Sequence, residues 1–360
     1  MLLPASLLLL GLATAAPPPP PSTAEQLRAV CRTQGANPGN PWALAHGIVL
    51  EGRGFRARDG RLAAEVILSD FLHRDGAEGG RGLYFEPFLP DGTPVEPHPA
   101  LQVKTLVLAG FPLSRKFQAT GGTVTLRALV EDLQHDFRPE LASSPEGAWA
   151  LDTLSQVLAP GATFHNGAGE LVRFDAVMDE ALATLERAQA NLTAGMKAGL
   201  PQVPKQKQGI YAHPCGGLHF FQAVASWARH PAVRKAWGAR MDTQVDVLVY
   251  RLGSEARQYE AALAEAPGAY RLPLLSQSLK FYGHFLETLG RYRRENGWTP
   301  TPQQQQAVTR VHQLLEATVR RLGEAGALQS LESLAKQQPQ LYLDLVGDAC
   351  HAAHGLAEWK

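Results

Sequence analysis

Along most of this 360-residue chain, apolar and polar positions alternate with a helical period. Between Gln303 and Leu322, the apolar residues Val308, Val311, Leu315, Val319 and Leu322 recur at steps of three and four, which places them on one helical face. Asn40-Pro41 sets a cap residue and a first-turn proline ahead of the apolar run Trp42 to Leu50, predicting a helix there. Residues 59–73 predict a second helix, and 171–195 and 232–265 are long amphipathic segments without an internal proline. Breakers fall regularly between these segments, at Pro160-Gly161, Pro201 to Pro204, Pro267-Gly268 and Pro300 to Pro302. Helices of about 20 residues joined by short loops predict antiparallel helical hairpins. The texture changes from 76 to 122, where glycine and proline are frequent. There LYFEPF (83–88) and LQVKTLVLAGF (101–111) read as short extended segments, an insertion with some strand pairing.

A weak internal repeat orders the hairpins. LHFFQAVASW (218–227), GHFLETLGRY (283–292) and ACHAAHGLAEW (349–359) each carry a histidine followed by an amphipathic turn that ends near an aromatic. WALAHGIVLEG (42–52) resembles WALDTLSQVLA (149–159), and aligning Thr153 with those histidines gives Thr153, His219, His284 and His351 at steps of about 66 residues, two helices with their loops. The expected fold class is all-α dominated: an α/α toroid-like array of helical hairpins, with a small extended insertion at 76–122, forming one domain over 31–360. Stacked hairpins form either an open solenoid or a closed ring, and closure is the expectation here, with the histidine-bearing helices innermost.

Composition narrows the class. With 45% hydrophobic and 19% charged residues the chain is neither disordered nor low-complexity. Lysine plus arginine balances aspartate plus glutamate at 34 each, so the basic excess of a nucleic-acid binder is missing and no nucleic-acid partner is expected. Residues 1–15 carry the apolar run Leu7 to Leu10 and the small residues Ala13-Thr14-Ala15, the pattern of a signal peptide, although no lysine or arginine precedes the run. Residues 16–30 then read as a proline-rich spacer, extended over Pro17 to Pro21. Export to the periplasm or the medium is the expectation. No later stretch of 18 apolar residues exists, so no transmembrane span is expected. The three cysteines, Cys31, Cys215 and Cys350, fit either one disulfide with one thiol left over or three isolated thiols; a Cys215–Cys350 pairing is one candidate.

The chemistry-bearing residues cluster. Cys215 with His219 and Cys350 with His354 stand at i and i+4, a spacing at which two side chains of one helix can share a metal. Zinc accepts thiolate and imidazole ligands, so Cys215, His219, Cys350, His351 and His354 form the candidate metal set, with His46, His213 and His284 as further donors. Packing of small buried cysteines and carbonyl-bonded histidines is the alternative. Cys215-Gly216-Gly217 and Cys350-His351 resemble the two motifs of the lanthionine cyclase family, α/α toroids. That resemblance implies a zinc held by two cysteines and a histidine. Ala352 stands where the family has glycine, and the motifs are spaced more widely.

Export and hairpin architecture also resemble the secreted six-hairpin carbohydrate-active enzymes. This implies a hydrolase or lyase acting on a polysaccharide or cell-wall glycan within the ring cavity, by paired carboxylates or a lyase base. Catalytic candidates are Glu51, Asp152, His284 and Glu287, with Asp70, Asp348 and Glu358 behind them. Candidate binding residues are Trp42, His46, His213, His219 and Tyr282, and Trp149, Trp227 and Trp359 are further sugar platforms. A non-catalytic binding or scaffold protein with a structural zinc is the competing expectation. No P-loop, dinucleotide fingerprint, HExxH or GxSxG motif occurs.

Overall fold

The computed structural model describes residues 21–75, 82–205, 207–212 and 215–359. The predicted signal peptide lies outside the described residues, and so does His213. The predicted spacer is corrected over its second half. Ser22 caps helix α1 (Thr23–Gln34) through a reciprocal box with Glu25, so the chain is helical from Thr23 onward.

Helices dominate the described residues, joined by three small antiparallel hairpins. After α1 come α2 (Pro41–Glu51), α3 (Ala63–Phe71), β1 (Leu72–Arg74), β2 (Leu83–Phe85) and α4 (Leu101–Leu108). Next follow β3 (Lys116–Ala119), β4 (Gly122–Thr125), α5 (Leu126–Asp136), α6 (Gly147–Val157), β5 (Thr163–His165) and β6 (Leu171–Arg173). The remainder is helical: α7 (Phe174–Ala188), α8 (Ala190–Lys197), α9 (Leu218–Ala228), α10 (Pro231–Glu265), α11 (Gly268–Asn296), α12 (Pro302–Glu324), α13 (Leu331–Gln337) and α14 (Pro339–Ala357). The strand pairs are β1–β2, β3–β4 and β5–β6, and each serves as a connector.

Two expectations from the sequence change here. LQVKTLVLAGF, read as extended, contains helix α4. Ala100 turns into it through a left-handed conformation, and Thr105 Oγ1 donates to the Leu101 carbonyl one turn back. Burial of Leu101 through Leu106 among neighbouring helices outweighs the strand preference of Val103 and Thr105. The segment 171–195 opens with strand β6, and its helix starts only at Phe174.

Packing separates the helices into two sets. In the first, α2 contacts α4, α4 contacts α6, α6 contacts α9, α9 contacts α11, α11 contacts α14, and α14 returns to α2. These helices are buried on nearly every side; all eleven residues of α9 are buried. The second set flanks the first: α3 packs on α2, α5 on α4 and α6, α7 on α9, α10 on α9 and α11, α12 on α11, and α1 on α14. Amphipathic sequences suit that placement, and Val308, Val311, Leu315, Val319 and Leu322 of α12 are all buried as their spacing predicts. Thr153, His219, His284 and His351 sit on α6, α9, α11 and α14, four helices in contact sequence. The predicted insertion at 76–122 carries α4, which belongs to the first set.

Helices α1 and α14 are joined covalently. Cys31 of α1 is disulfide-bonded to Cys350 of α14, 319 residues later. The candidate Cys215–Cys350 pairing is therefore wrong, because Cys350 lies on the side of α14 that meets α1. Cys215 is the free cysteine and is buried.

Helices α11 and α14 approach most closely at small residues. A Cβ on Gly283 would lie 2.8 Å from Ala352 Cβ, and one on Gly355 would lie 2.8 Å from the Glu287 nitrogen and 2.9 Å from the Gly283 carbonyl oxygen. On α14, Gly347 leaves room for the Trp42 indole of α2. Replacing Gly355 by valine should therefore force the two helices apart and destabilise the fold by roughly 1–3 kcal/mol, the cost of overpacking a dense core. Urea denaturation would measure it, and an unchanged midpoint would refute the tight contact. Thiol titration of the unfolded, unreduced protein should find one thiol, Cys215; three would refute the Cys31–Cys350 bond.

Candidate functional site

Four histidines from four helices converge at the centre of the first helix set. His219 (α9), His284 (α11) and His351 (α14) each offer a ring nitrogen, and these nitrogens lie within 4.8 Å of one another. The rings of His284 and His351 are 4.1 Å apart between centroids, and His46 of α2 meets His351 edge-on at 5.0 Å. All four are under 9% exposed.

Each imidazole is held by its Nδ1. His46 Nδ1 donates to the Trp42 carbonyl at 2.7 Å and His284 Nδ1 to the Lys280 carbonyl at 2.9 Å, one helical turn back in both cases. A carbonyl can only accept, so the proton in these rings is on Nδ1. His351 Nδ1 lies 2.8 Å from Glu287 Oε2, while Glu287 Oε1 takes His354 Nδ1 at 2.8 Å. His219 Nδ1 lies 3.1 Å from Gln222 Oε1 and 3.5 Å from Lys104 Nζ. Burial pushes His46 down to about 3, and His219 and His284 fall well below the ordinary histidine value for the same reason. Burial opposes ionisation of Glu287, yet His351 and His354 outweigh it and keep its carboxyl well below the usual range.

Two chambers meet at this cluster and share Val49, Lys104, Thr105, Leu108, His219 and His351. The first, about 290 Å³, has apolar walls that include Trp42, Trp149 and Phe88, with Lys280, Asp344 and Asp348 among them. Trp149 is stacked on His98 at 4.1 Å. Phe88, in the loop after β2, is 54% exposed at the rim. The second chamber, about 570 Å³, is lined by Glu51, Gln222, Glu287, Arg291, Glu295 and His354 among others.

Lys280 reaches Asp344 at 3.0 Å and Asp348 at 3.9 Å, and both carboxylates belong to α14. Asp348 is 4% exposed, and its Oδ2 has no hydrogen-bond partner among the described residues. Burial raises its carboxyl well above the ordinary aspartate value, and Lys280 only partly offsets that.

Several sequence candidates have other roles. Cys350 is spent in the disulfide, which removes it as a metal ligand and with it the two-cysteine set implied by the lanthionine cyclase resemblance. Cys215 lies in the turn before α9, where Gly216 and Gly217 take φ of 60° and 75°, so it does not share a helical face with His219. Its thiol lines the first chamber, and burial raises its pKa. Asp152 is fully buried and never meets a chamber. Arg291 grips it at 2.7 and 2.6 Å, and Lys104 sits at 3.2 Å. Burial opposes ionisation of Asp152, but these two cations hold its carboxyl well below the usual range. Glu51 pairs with Arg28 and Arg32, Asp70 with Arg61, and Glu358 with Arg294. Tyr282 packs on Tyr259 and Phe281, and Trp227 on Phe174, away from both chambers. Trp359 donates to the Leu286 carbonyl.

Sequence reasoning missed Lys104, His98, Lys280 and Asp344. Lys280 stands one turn before His284, and Asp344, Asp348 and His351 are spaced i, i+4, i+7, a stripe on α14 that was legible. Lys104 was hidden because its helix read as extended. No family model, curated protein or solved structure matches the chain.

Asp152 holds two buried cations. Asp152→Ala should therefore cost about 3–5 kcal/mol, the penalty for stranding a buried charge, in a urea titration at neutral pH. A loss below roughly 1 kcal/mol would show that Arg291 and Lys104 find other partners. The Asp152 contribution is present above the unfolded aspartate pKa and is lost as pH falls toward its depressed folded value.

Proposed function

We propose that the chain is an α/α toroid of six hairpins that acts, after export, as a hydrolase or lyase on a polysaccharide or cell-wall glycan held in the ring cavity. The return of α14 to α2, and the flanking partner of each helix in that cycle, support the toroid. Helix α1 supplies the sixth outer element, so one hairpin is assembled from α1 and α14, segments far apart in sequence. The Cys31–Cys350 disulfide supports an oxidising compartment, where such bonds persist. Trp42, half-buried in the wall of the first chamber, gives it an aromatic surface of the kind against which pyranose rings pack.

The observation that carries the reading is the buried carboxyl of Asp348, whose Oδ2 accepts no hydrogen bond among the described residues, beside Asp344 in that aromatic-walled chamber. Two carboxyls whose surroundings differ divide the work of acid and base. Asp348, kept protonated by burial, gives its proton to the glycosidic oxygen as the carbon–oxygen bond breaks. Asp344 accepts from Lys280 Nζ at 3.0 Å and Gln340 Nε2 at 3.1 Å, and as the base of the pair it takes the proton of the attacking water. Lys280 holds the two apart in role by bonding to Asp344 and standing farther from Asp348.

An oligosaccharide panel scored for cleavage and for thermal stabilisation tests this. Asp348→Asn should lower turnover by roughly 10²–10⁴-fold, the contribution of a positioned acid, while substrate binding survives. Wild-type activity should fall as pH rises through the raised Asp348 value, because only the protonated acid can donate. Binding without turnover across the panel would replace this reading with a non-catalytic exported binding protein.

A further inference from the structure

We infer that His219, His284 and His351 hold one divalent transition-metal ion of the zinc class, with a coordination position left open to the cavity. The inference rests on the histidine geometry and is independent of the glycan reading.

Three imidazoles from three helices are buried together at one point, an arrangement that suits one ligand shared by their nitrogens. His284 and His351 engage the Lys280 carbonyl and the Glu287 carboxylate through Nδ1, which leaves Nε2 as the nitrogen available to a metal. His219 Nδ1 lies against Gln222 Oε1 at 3.1 Å and Lys104 Nζ at 3.5 Å, so Nε2 is again the nitrogen left for a metal. No hydrogen bond among the described residues uses these Nε2 atoms. Each of the three rings offers one nitrogen, and these nitrogens lie within 4.8 Å of one another. Tetrahedral zinc with Zn–N bonds of 2.0–2.1 Å needs nitrogens about 3.3 Å apart. Small side-chain rotations, on the order of 1 Å at each nitrogen, close that difference.

The surroundings fit a cation. Metal-bound histidines characteristically donate their other ring nitrogen to a carbonyl or carboxylate, which fixes the tautomer and strengthens the ligand. Here the Lys280 carbonyl, Glu287 and Gln222 take those places. Glu287 also brings a full negative charge behind the ligand ring, and it is braced by His354 on its other oxygen. The two lysines nearby do not oppose a cation unscreened, since Lys104 is paired with Asp152 at 3.2 Å and Lys280 with Asp344 at 3.0 Å.

Ligand type and access narrow the class further. Three imidazoles without a thiolate suit zinc, cobalt, nickel or copper rather than calcium or magnesium. His219 and His351 border both chambers, so the fourth position is reachable by water or substrate from either side. Structural zinc sites close with four protein ligands, whereas three plus an open position is the arrangement that activates water.

The test uses the full chain, stripped with a chelator and then titrated with zinc chloride by calorimetry, with elemental analysis after dialysis. One equivalent should bind, and cobalt substituted for zinc should give the visible absorption of a four-coordinate imidazole site. His284→Gln and His351→Gln should each lower zinc affinity by at least 100-fold while the circular dichroism spectrum stays native. Glu287→Gln should weaken binding by about 10–100-fold, the usual effect of losing an outer-shell partner, without changing the stoichiometry. Cys215→Ser should leave it unchanged. A natively folded protein that binds less than 0.1 equivalent would overturn the inference, as would binding untouched by both histidine variants or lost in Cys215→Ser. The calorimetry needs no glycan, so it can succeed when the oligosaccharide panel fails, and the reverse.

Discussion

The architecture depends on how closely α11 and α14 can lie. Gly283, Gly355 and Ala352 remove the side chains that would hold the two helices apart, and backbone meets backbone across the contact. That proximity lets Glu287 of α11 bond both His351 and His354 of α14. It also places His284 against His351. The same helix α14 receives the Trp42 indole over Gly347 and the disulfide from α1, so three neighbours are positioned by one helix. Dense cores transmit such shifts because they contain few voids to absorb them.

Two kinds of buried polar group surround the centre, and they differ in how completely they are satisfied. Asp152, Arg291, Lys104, Ser226 and Glu295 form a closed network in which every charge meets an opposite one. A satisfied network of this kind is expensive to break and fixes the orientation of the helices that carry it. Asp348 and the histidine Nε2 atoms are the reverse case. Their residues are buried and border the chambers, and neither Asp348 Oδ2 nor the Nε2 atoms of His219, His284 and His351 make a hydrogen bond among the described residues.

The loop that carries Cys215 is fixed by a separate set of charges. Arg251 of α10 donates to the Gly216 carbonyl and to Glu255, and its guanidinium lies over the rings of Tyr211 and Phe281. Gly216 is required there twice over, by its left-handed backbone and by the Arg251 side chain that a Cβ would strike. The turn delivers the chain into α9 at the angle that brings His219 to the centre.

Local pattern was enough to read the helical class, the outer faces and the 66-residue step that places Thr153, His219, His284 and His351 on successive helices in contact. Those features are encoded in residues three and four apart, or in a recurrence along one chain. Helix α4 escaped because Val103 and Thr105 prefer strands locally and only burial between α2 and α6 makes the helix. Which cysteines pair, which histidines share a centre, and whether a carboxylate such as Asp152 is sealed or one such as Asp348 opens onto a chamber were decided by tertiary structure alone. Such outcomes depend on where separate helices cross and which of their sides meet, and those distances are set by glycine contacts between segments far apart in the chain. Helical periodicity carries the direction a side chain takes from its own axis, and holds nothing about what stands opposite it.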